Sequence, residues 1–536
     1  MVNLVESVAA AADEHADGTA VGFRGRELTY GELWGQIGAF ASGLADAGVE
    51  PGDRVGLYLP NLPQFVVGFH GTLRAGGVVV PMNPQYKARE IEHLLSDSGA
   101  DVVVALADLA PFVEEVREET GVEHLVTVGG DGDAGADDAV AFEEFCGTPG
   151  FETVERDADD VACQPYTSGT TGQPKGVLLT HENLRSNAEM SRSLPRGGVR
   201  ADDSLLGVLP LFHIYGMTVV MNAALFAGGA YFPLPSWDAE EAMDLIEREG
   251  LTMMHGVPAM YNDVVNQPDA EDRNLSSLRM CGVGGAGIPV EVLRRFEELF
   301  DATIYEGYGL TETSPVTHFN SADEGRRVGS IGRTLPGVEA RIVDDGFEAV
   351  DPVPEGPVDE GGEGGTASES RTGSGETDLD DVTGELVVAG PNVMQGYHDR
   401  PEANEEAFTH EGGTRWFHTG DVGYHDEDGF YYVVDRRKHM INTAGYNVYP
   451  REVEELLFEH EAVADVAVVG IPDDRRGETV KAFVVRAPDG EVSADGIRQF
   501  CLDNLAEYKH PREVAFVEEL PRTTTGKVQK FELRGE

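Results

Sequence analysis

The spacing of apolar residues predicts a chain in which buried strands alternate with amphipathic helices. Short apolar runs at Val55–Leu59, Val78–Pro81 and Val102–Ala105 have the length and the β-branched content of buried strands. Between and before them, Leu33–Ala47 and Arg89–Ser98 show helical spacing. Because each strand is followed by a helix, the pattern predicts a largely parallel sheet that is covered on both faces.

The same rhythm returns farther along the chain. Strands are predicted at Leu205–Leu209, Met253–Gly256 and Met280–Gly284, with a helix at Ala239–Glu249 between them. The next apolar runs are short and predict antiparallel strands over Val338–Val343, Gly384–Val388 and Gly429–Val434. From Tyr449 onward a compact α/β unit is predicted, with helices at Arg451–Phe458 and Ala494–Leu505 and strands at Val463–Val469 and Glu478–Val485.

Two stretches depart from this rhythm. Residues 345–381 are rich in Gly, Asp, Glu and Ser, and we interpret them as an acidic disordered insertion. The stretch Leu205–Trp237 holds no charged side chain other than His213 and is long enough to span a bilayer. Glycines and prolines interrupt it, so the pattern favours buried elements that line an apolar pocket over a transmembrane helix.

The composition is extreme in its charge. The chain has 536 residues, enough for two to four domains or subdomains, and a net charge of -56. Acidic residues are spread along the whole chain, which indicates a hydrated shell suited to a high-salt cytoplasm rather than a protein that binds basic partners. No basic patch is available for nucleic acid. Four scattered cysteines show no metal spacing, and the N-terminus shows no signal-peptide pattern, so we expect a cytoplasmic monomer or homodimer.

Lysine is scarce, and this makes the remaining lysines informative. The chain contains seven. Because ordinary surface lysines have almost disappeared, each survivor is a candidate for a required role. Four of them fall in or beside the motifs described next: Lys175, Lys438, Lys527 and Lys530.

The segment Tyr166–Val177 carries the strongest chemical signal. It reads Tyr-Thr-Ser-Gly-Thr-Thr-Gly-Gln-Pro-Lys-Gly-Val, with three glycines, one lysine and four Ser or Thr hydroxyls. Glycines allow successive backbone N–H groups to point the same way, and hydroxyls and Lys175 add donors and charge. The segment therefore predicts a phosphate-binding loop, although it lacks the Walker A spacing. The alternative interpretation is a flexible polar turn.

Three other segments carry candidate carboxylates, cations or both. Tyr305–Pro315 places Glu312 between two threonines after a strand-like run, where its carboxylate is suited to Mg²⁺. The segment His418–Asp421 ends in the candidate carboxylate of Asp421. The charged run Asp435–Lys438 follows farther along the chain. Pro521–Lys530 is a basic stretch in an acidic chain. The alternatives are a turn that ends a strand, a structural ion pair at Asp421 and a solvated basic end.

In their order, these segments resemble the signatures of the adenylate-forming superfamily, which includes acyl-CoA synthetases, coumarate-CoA ligases, luciferases and peptide-synthetase adenylation domains. The resemblance runs from about residue 20 to residue 533. It implies an α/β fold with a large N-terminal domain, made of two parallel-sheet α/β subdomains and a small distorted β-barrel, joined by a hinge to a small α+β C-terminal domain. The implied bounds are 1–434 for the large domain, 435–438 for the hinge and 439–536 for the C-terminal lid.

The resemblance also implies a reaction. The expected activity is ligation of a carboxylic acid to coenzyme A through an acyl-adenylate, using ATP and Mg²⁺ and releasing AMP and pyrophosphate. The run Gly-Leu-Thr-Glu-Thr-Ser-Pro resembles fatty-acid–CoA ligases more than aryl ligases, so a medium or long fatty acid is expected. An aryl or coumarate-like CoA ligase and a catalytically silent nucleotide-binding homologue stay open as alternatives.

The residues that match the motifs take their expected roles from the superfamily. Lys527 would reach the α-phosphate and the carboxylate, Tyr308 would stack on adenine, and Asp421 with Arg436 would hold the ribose. His213 and Tyr215 would border the acid, although a lone histidine in apolar surroundings is more often a core residue. Catalytic roles are implied for Lys175, Thr311, Glu312 and Lys527, with Glu312 also the Mg²⁺ ligand. Nucleotide or CoA contacts are implied for Thr167, Ser168, Gly169, Thr170, Thr171, Gly172, Lys175, Gly284, Gly285, Ala286, Glu306, Gly307, Tyr308, Thr311, Asp421, Arg436, Lys438, Gly445 and Lys527.

Overall fold

A computed structural model of the chain describes most of its residues. The described ranges are 3–129, 139–167, 174–193, 198–321, 325–353, 382–436, 439–443, 446–473, 475–487, 490–505, 507–523 and 528–534. Several residues singled out from the sequence lie outside these ranges. They are Ser168, Gly169, Thr170, Thr171, Gly172, Lys438, Gly445 and Lys527.

The strands and helices of these ranges follow the predicted alternation. The strands of the first part of the chain are β1 (Thr19–Phe23), β2 (Arg26–Thr29), β3 (Arg54–Tyr58), β4 (Val78–Pro81), β5 (Val102–Leu106), β6 (His124–Val128), β7 (Val140–Ala141), β8 (Val161–Cys163), β9 (Tyr166–Thr167), β10 (Lys175–Thr180), β11 (Ser204–Gly207), β12 (Ala230–Pro233), β13 (Met253–Gly256), β14 (Met280–Val283), β15 (Ile304–Gly309), β16 (Val316–Phe319) and β17 (Arg333–Thr334). Those that follow are β18 (Glu339–Val343), β19 (Gly384–Ala389), β20 (Gly396–Tyr397), β21 (Phe408–Glu411), β22 (Thr414–His425), β23 (Tyr431–Arg436), β24 (Ile441–Thr443), β25 (Tyr446–Val448), β26 (Val463–Asp473), β27 (Gly477–Arg486) and β28 (Glu513–Val517). The α-helices are Glu6–Glu14, Tyr30–Asp46, Pro63–Arg74, Ala88–Ser98, Ala110–Thr120, Phe142–Phe145, His181–Arg192, Ala223–Ala227, Ala239–Glu249, Pro258–Val265, Val290–Phe300, Pro401–Ala407, Pro450–Phe458, Ala494–Asn504 and Lys530–Leu533.

Four sheets organise these strands. Within the described residues, two sheets have nine strands each, in the orders β17-β16-β15-β14-β13-β11-β12-β1-β2 and β20-β10-β8-β4-β3-β5-β6-β7, with β9 paired to β10. Their interiors are largely parallel, and their edge strands pair antiparallel except β7, which is parallel to β6. A third sheet is antiparallel, β18-β19-β22-β21 with β23 beside β22, and a fourth forms the C-terminal unit, β25-β24-β27-β26 with β28 beside β27. The predicted α/β class, with a large N-terminal and a small C-terminal domain, is confirmed.

The local sequence explains why these elements form where they do. All four residues of β4 are buried, which is typical of a parallel strand covered by helices on both faces. Helix Tyr30–Asp46 begins at a capping box, in which the Thr29 hydroxyl accepts from the Glu32 N–H and the Glu32 carboxylate accepts from the Thr29 N–H. Helix Ala88–Ser98 ends at Gly99, whose φ of 67° is the left-handed conformation that favours glycine.

The long uncharged stretch Leu205–Trp237 folds as several short buried elements. It holds β11, a π-helix at Tyr215–Asn222, the short helix Ala223–Ala227 and β12. The predicted buried elements are therefore confirmed, whereas the π-helix had no sequence signal. Among the described residues, no helix has both the length and the apolar character needed to cross a membrane.

The first part of the predicted disordered insertion is ordered. Residues 345–353 are ordered, because the Val350 N–H bonds to the Ile342 carbonyl and the Val353 N–H bonds to the His425 carbonyl. Both contacts extend the third sheet by backbone hydrogen bonds that composition does not reveal. The remainder of the insertion, residues 354–381, lies outside the described residues.

Side-chain amides join the two large sheets where the motifs meet. Asn187, on the helix that follows β10, both donates to the Val316 carbonyl at 2.7 Å and accepts from the Val316 N–H at 3.2 Å. Asn392 donates to the carbonyls of Thr313 and Val316. A buried amide that both donates and accepts, as Asn187 does, fixes the relative position of the elements it joins. The phosphate-loop strand β10 and the Glu312 segment are therefore held against one another.

Candidate active site

A polar cluster at the carboxyl end of β15 joins three predicted site residues. Tyr308 donates its hydroxyl proton to Asp421, on β22, and the other carboxylate oxygen of Asp421 lies 3.0 Å from Nε of Arg436, on β23. The register of the third sheet pairs Asp421 directly with Arg436. Two distant motifs are thus brought onto one carboxylate. Each carboxylate oxygen has two lone pairs, so Asp421 retains acceptor capacity for further hydroxyl groups.

The charges of this cluster reinforce one another. Burial, together with the charge of Asp421, raises the pKa of Tyr308 well above its ordinary value. The charge of Asp421 also raises the pKa of Arg436. Tyr308 therefore stays a neutral hydrogen-bond donor and Arg436 a cation at any ordinary pH. The interpretation of Asp421 as a structural ion pair and its interpretation as a ligand-binding residue are compatible, because only part of its acceptor capacity is used.

A second cluster brings the phosphate-loop lysine close to the predicted metal carboxylate. Thr167 on β9 pairs with Lys175 on β10, so these two strands form the base of the loop between them. The Lys175 ammonium lies 4.9 Å from the ring centroid of Tyr397, and the hydroxyl of the same tyrosine donates to Glu312 Oε1 at 2.9 Å. The charge of Glu312 also acts on Arg436, which connects this cluster to the first.

Lys175 differs in its partners from two of the three described lysines of the C-terminal unit, whereas the third, Lys481, also lies over an aromatic ring, 4.7 Å from the centroid of Phe483. Lys509 forms an ion pair with Glu452 at 2.6 Å, and Lys530 forms one with Glu454 at 2.7 Å. Within the described part of the chain, Lys175 forms no ion pair with any carboxylate, although acidic residues outnumber basic ones by more than two to one. A cation left without a protein anion in such an acidic chain is suited to an anionic ligand.

The donor set at Glu312 fits magnesium in a particular way. No group of three His, Cys, Asp or Glu side chains that could hold a metal occurs among the described residues. Mg²⁺ does not need such a cage, because it is commonly bound by one or two carboxylates together with waters and substrate phosphates. Within the described residues, the hydrogen bond from Tyr397 is the one bond to the Glu312 carboxylate. The second carboxylate oxygen fits a cation carried by a phosphate ligand.

The candidate acid site lies beside the nucleotide site. Gly284 is buried, and a Cβ there would lie 3.1 Å from the Tyr215 ring and 3.4 Å from the Gly307 carbonyl. Tyr215 Oη lies 3.3 Å from His255 Nδ1 in an otherwise apolar region. Burial lowers the pKa of His255 to about 4, so its imidazole is neutral. His213 is half-buried and its Nδ1 accepts from the Tyr215 N–H, which places it at the start of the π-helix.

The C-terminal unit contacts the large domain close to this site. Asp435 accepts from the N–H of Arg451, at the start of helix Pro450–Phe458, and the Arg451 guanidinium donates to the Val433 carbonyl at 3.1 Å. The same guanidinium packs on Gly287 and faces the buried carboxylate of Glu306. Burial raises the pKa of Glu306 to about 7, and the charge of Arg451 opposes that rise.

The structure brings together most of the predicted residues that it describes. Around the two clusters lie Thr167, Lys175, Glu306, Gly307, Tyr308, Thr311, Glu312, Asp421 and Arg436, and beside them lie Gly284, Gly285, Ala286, His213 and Tyr215. The other predicted residues, among them Lys527, Lys438 and Gly445, lie outside the described ranges, and their roles stay predictions.

Three residues with prominent contacts were missed from the sequence. Tyr397 bridges Lys175 and Glu312, His255 faces Tyr215, and Arg451 faces Glu306. Tyrosine and arginine are common residue types, and neither stands in a distinctive motif here. For Tyr397, the sequence offers one weak signal, which is the dipeptide Gly396–Tyr397.

Comparison with known proteins agrees with this geometry. The family model of the AMP-binding enzyme matches residues 8–398, and that of the AMP-binding enzyme C-terminal domain matches residues 452–527. A long-chain-fatty-acid–CoA ligase of Bacillus subtilis (strain 168) is 35% identical over 96% of this chain and 91% of its own. A feruloyl-CoA synthase of Amycolatopsis sp is 35% identical over 96% of this chain and 95% of its own.

A solved structure agrees along the whole chain. The crystal structure of the anthranilate CoA ligase AuaEII in complex with anthranoyl-AMP superposes with a TM-score of 0.87 at 27% identity, covering 100% of this chain and 97% of the other. The sheet order, the convergence of the motifs and both family models lead to one assignment. The chain belongs to the AMP-binding enzyme family, the adenylate-forming superfamily, in its acyl-CoA synthetase branch.

Proposed function

We propose that this protein is an ATP-dependent acid–CoA ligase that makes acyl-CoA from a carboxylic acid through an acyl-adenylate, with release of AMP and pyrophosphate. The observation that carries the proposal is the continuity of the site. Contacts or direct electrostatic interactions lead from Lys175 through Tyr397 and Glu312 to Arg436, and from there to Asp421 and Tyr308. This order is the order of the phosphate, ribose and base of a nucleotide.

In the first half-reaction, an oxygen of the acid attacks the α-phosphorus of ATP. The bond from that phosphorus to the bridging oxygen breaks, and pyrophosphate leaves with the electron pair. Lys175 stabilises the negative charge on the departing phosphates, and Asp421 accepts from the ribose hydroxyls while Tyr308 lies against the base. Lys527 draws the acid and the α-phosphate together against their mutual repulsion. This is catalysis by positioning and electrostatic stabilisation.

Magnesium would be held at Glu312 together with the phosphates. When bound, it neutralises phosphate charge and favours departure of pyrophosphate. The protein's part is to orient the Glu312 carboxylate, which the hydrogen bond from Tyr397 does. In a chain of net charge -56, such local compensation is needed before two anions can meet.

In the second half-reaction, the sulfur of coenzyme A attacks the acyl carbon of the adenylate. The thioester bond forms, AMP leaves, and the thiol proton passes to solvent. We propose that the C-terminal unit turns about residues 435–438 between the two steps, withdrawing Lys527 and presenting Gly445 to the pantetheine arm. The contacts of Asp435 and Val433 with Arg451 lie at the proposed pivot and support its position.

A fatty acid is the proposed substrate class, with support from the named activity of the Bacillus subtilis relative. Aryl acids are the second candidate, and one contact favours them. The Tyr215 hydroxyl oxygen and the His255 ring nitrogen Nδ1 lie 3.3 Å apart beside Gly284. A phenolic hydroxyl of a substrate would find hydrogen-bonding partners there, and an alkyl chain would not. The feruloyl-CoA synthase is as similar to this chain as the fatty-acid ligase is.

The test is CoA-dependent conversion of ATP to AMP, measured with acetate, with medium and long fatty acids and with ferulate and benzoate. We expect turnover with at least one class, and the ratio of kcat/KM values between classes names the substrate. Absence of AMP and pyrophosphate release with every acid, from protein that still binds ATP, would instead support the silent nucleotide-binding homologue. The variant Lys175→Met serves as the inactive control.

A further inference from the structure

We propose that Tyr397 is a positioning residue that keeps Lys175 and Glu312 from pairing with one another, so that one stays available for phosphate and the other for the cation. The proposal rests on the proposed ligase function and concerns its first half-reaction. Nothing in the motifs assigns a role to this tyrosine. Three sets of contacts around Tyr397 support this role.

The first set satisfies the two opposite charges separately. The hydroxyl of Tyr397 donates to Glu312 at 2.9 Å, while the face of its ring receives the Lys175 ammonium at 4.9 Å. A cation is attracted to the negative face of an aromatic ring, and a carboxylate is stabilised by a neutral donor. Although both residues are described, no ion pair between Lys175 and Glu312 forms within the described part of the chain.

The second set fixes the tyrosine from its backbone. Val177 pairs with Tyr397 across β10 and β20, and the His398 N–H donates to the Gly176 carbonyl at 2.8 Å. On the other side, the Met394 N–H donates to the Glu312 carbonyl at 2.8 Å. The segment that carries Tyr397 is thus hydrogen-bonded both to the lysine strand and to the glutamate itself.

The third set holds the residue in place from behind. The Asn404 side chain accepts from the Tyr397 N–H at 2.6 Å and donates to the Tyr397 carbonyl at 2.9 Å. Burial and the charge of Glu312 raise the pKa of Tyr397, so the hydroxyl stays protonated and continues to donate. A neutral spacer held this firmly prevents collapse of two charges that would otherwise neutralise each other.

Separation of Lys175 from Glu312 keeps both charges available to a ligand. In an acidic chain, a lysine beside a glutamate would pair with it, and a buried pair is lost to any ligand that needs either charge. An intervening phenol leaves Glu312 with one oxygen unengaged by described residues and leaves Lys175 on a weak, displaceable partner. Phosphates entering the site then gain the full attraction of the ammonium group.

The test compares Tyr397→Phe, which removes the hydroxyl and keeps the ring, with Tyr397→Leu, which removes both. ATP binding is measured by calorimetry without an acid, so that no turnover occurs, in the presence of Mg²⁺ and in EDTA. For Tyr397→Phe we expect about 10- to 100-fold weaker binding with Mg²⁺ and unchanged binding in EDTA, since a hydrogen bond to a charged group is lost. For Tyr397→Leu we expect binding in EDTA to weaken as well.

A double variant makes the spacer role specific. Because Glu312 would capture Lys175 in Tyr397→Leu, adding Glu312→Gln should restore ATP binding in EDTA to within about threefold of the wild type. Thioester formation from supplied acyl-adenylate should stay unchanged in the single variants Tyr397→Phe and Tyr397→Leu. Tyr30→Phe, which loses a buried hydroxyl contact to the Gly229 carbonyl far from the site, is the matched control.

The outcomes separate the possibilities. Failure of Glu312→Gln to restore binding, or equal losses with Mg²⁺ and in EDTA for Tyr397→Phe, would overturn the spacer role. Equal losses in the thioester step would show that Tyr397 only supports the fold, which thermal unfolding would report independently. Absence of ATP binding by the wild type would reject the proposed function itself, and not the role of this residue.

Discussion

Arg436 Nε lies 3.0 Å from Asp421 Oδ1, and the two residues are paired in register on neighbouring antiparallel strands. Tyr308 approaches the same carboxylate from another sheet. Asp421 is buried, whereas Arg436 is more than one-third exposed. Each oxygen of this buried carboxylate is therefore engaged once, and we predict that its remaining lone pairs accept from the ribose hydroxyls.

Replacement of Asp421 should change how the enzyme discriminates between nucleotides. We expect Asp421→Asn to raise KM for ATP and to lower kcat/KM in the adenylation step by about 10- to 100-fold, because a charged acceptor is lost. The preference for ATP over 2′,3′-dideoxy-ATP should fall toward unity. Steady-state pyrophosphate release with both nucleotides measures this.

The control for Asp421 is an acid of similar geometry that lies away from the site. Asp244 forms an ion pair with Arg273 at 2.6 Å on the surface. Asp244→Asn should leave both KM for ATP and the preference for ATP over 2′,3′-dideoxy-ATP unchanged. An Asp421→Asn variant that keeps the wild-type preference for the ribose hydroxyls would contradict a ribose-binding role. It would leave the ion pair with Arg436 as the whole function of Asp421.

The two half-reactions should depend differently on Lys527. We expect Lys527→Ala to slow adenylate formation by at least 100-fold and to spare thioester formation from supplied acyl-adenylate, because the lysine acts only while the acid and the α-phosphate repel each other. Rapid-quench measurements of each step test this. Lys509→Ala, which breaks an ion pair with Glu452 in the same unit, should leave the ratio of the two rates unaltered. Parallel losses in both steps from Lys527→Ala would reject its proposed role.

The α/β fold was predictable from sequence because its strands are short, continuously apolar runs that alternate with helical patterns. Val78–Pro81 was placed to the residue, since only a strand buried on both faces carries four consecutive apolar residues between two helices. The residues of the phosphate, carboxylate and ribose segments were found through motifs. Tyr397 and Arg451 were not found, because their roles arise from pairing between distant segments. The contact of Arg451 with Val433 crosses 18 residues, and that of Tyr397 with Glu312 crosses 85.

The π-helix at Tyr215–Asn222 was unpredictable for a different reason. Its sequence has the apolar character of an α-helix, and the wider turn depends on surrounding packing rather than on local preference. The same packing places Tyr215 beside His255, a contact between residues 40 positions apart. The sequence therefore singled out Tyr215 without revealing its contact with His255.

Salt dependence is expected from the charge of the chain. Acidic residues exceed basic ones by 96 to 40, which gives the net charge of -56. Raising the salt from 0.1 M to 1 M shortens the Debye length from about 10 Å to about 3 Å, and this screens repulsion between surface carboxylates. We expect folding to require roughly molar KCl, as measured by circular dichroism and activity against KCl concentration. Sucrose of equal osmolarity should not substitute, and full helicity and activity in dilute buffer would contradict the prediction.

Glu306 and Arg451 face each other across the contact between the large domain and the C-terminal unit. Glu306 is buried on β15, and its carboxylate also accepts from the Gly329 N–H at 3.0 Å. Arg451 approaches from helix Pro450–Phe458 and forms an ion pair with the more exposed Glu455 at 2.8 Å. Burial removes the carboxylate from water, favours its neutral form and raises the pKa of Glu306. The charge of Arg451 and the hydrogen bond from the Gly329 N–H act in the opposite direction and lower that pKa.

This arrangement predicts a defined pH dependence of stability. The pKa of Glu306 is about 7 in the folded state and about 4.3 in an unfolded chain, so the folded state holds an extra proton between these values. Stability from this group is therefore lost as the pH rises through that window and is constant above it. Glu306→Gln never ionises, so its free energy of unfolding relative to the wild type should increase from pH 5 to pH 7 by about 2 kcal/mol and level off above about pH 8. Urea unfolding at constant molar KCl measures the difference, Glu455→Gln should show no such rise, and a difference for Glu306→Gln that does not vary with pH would contradict the assignment.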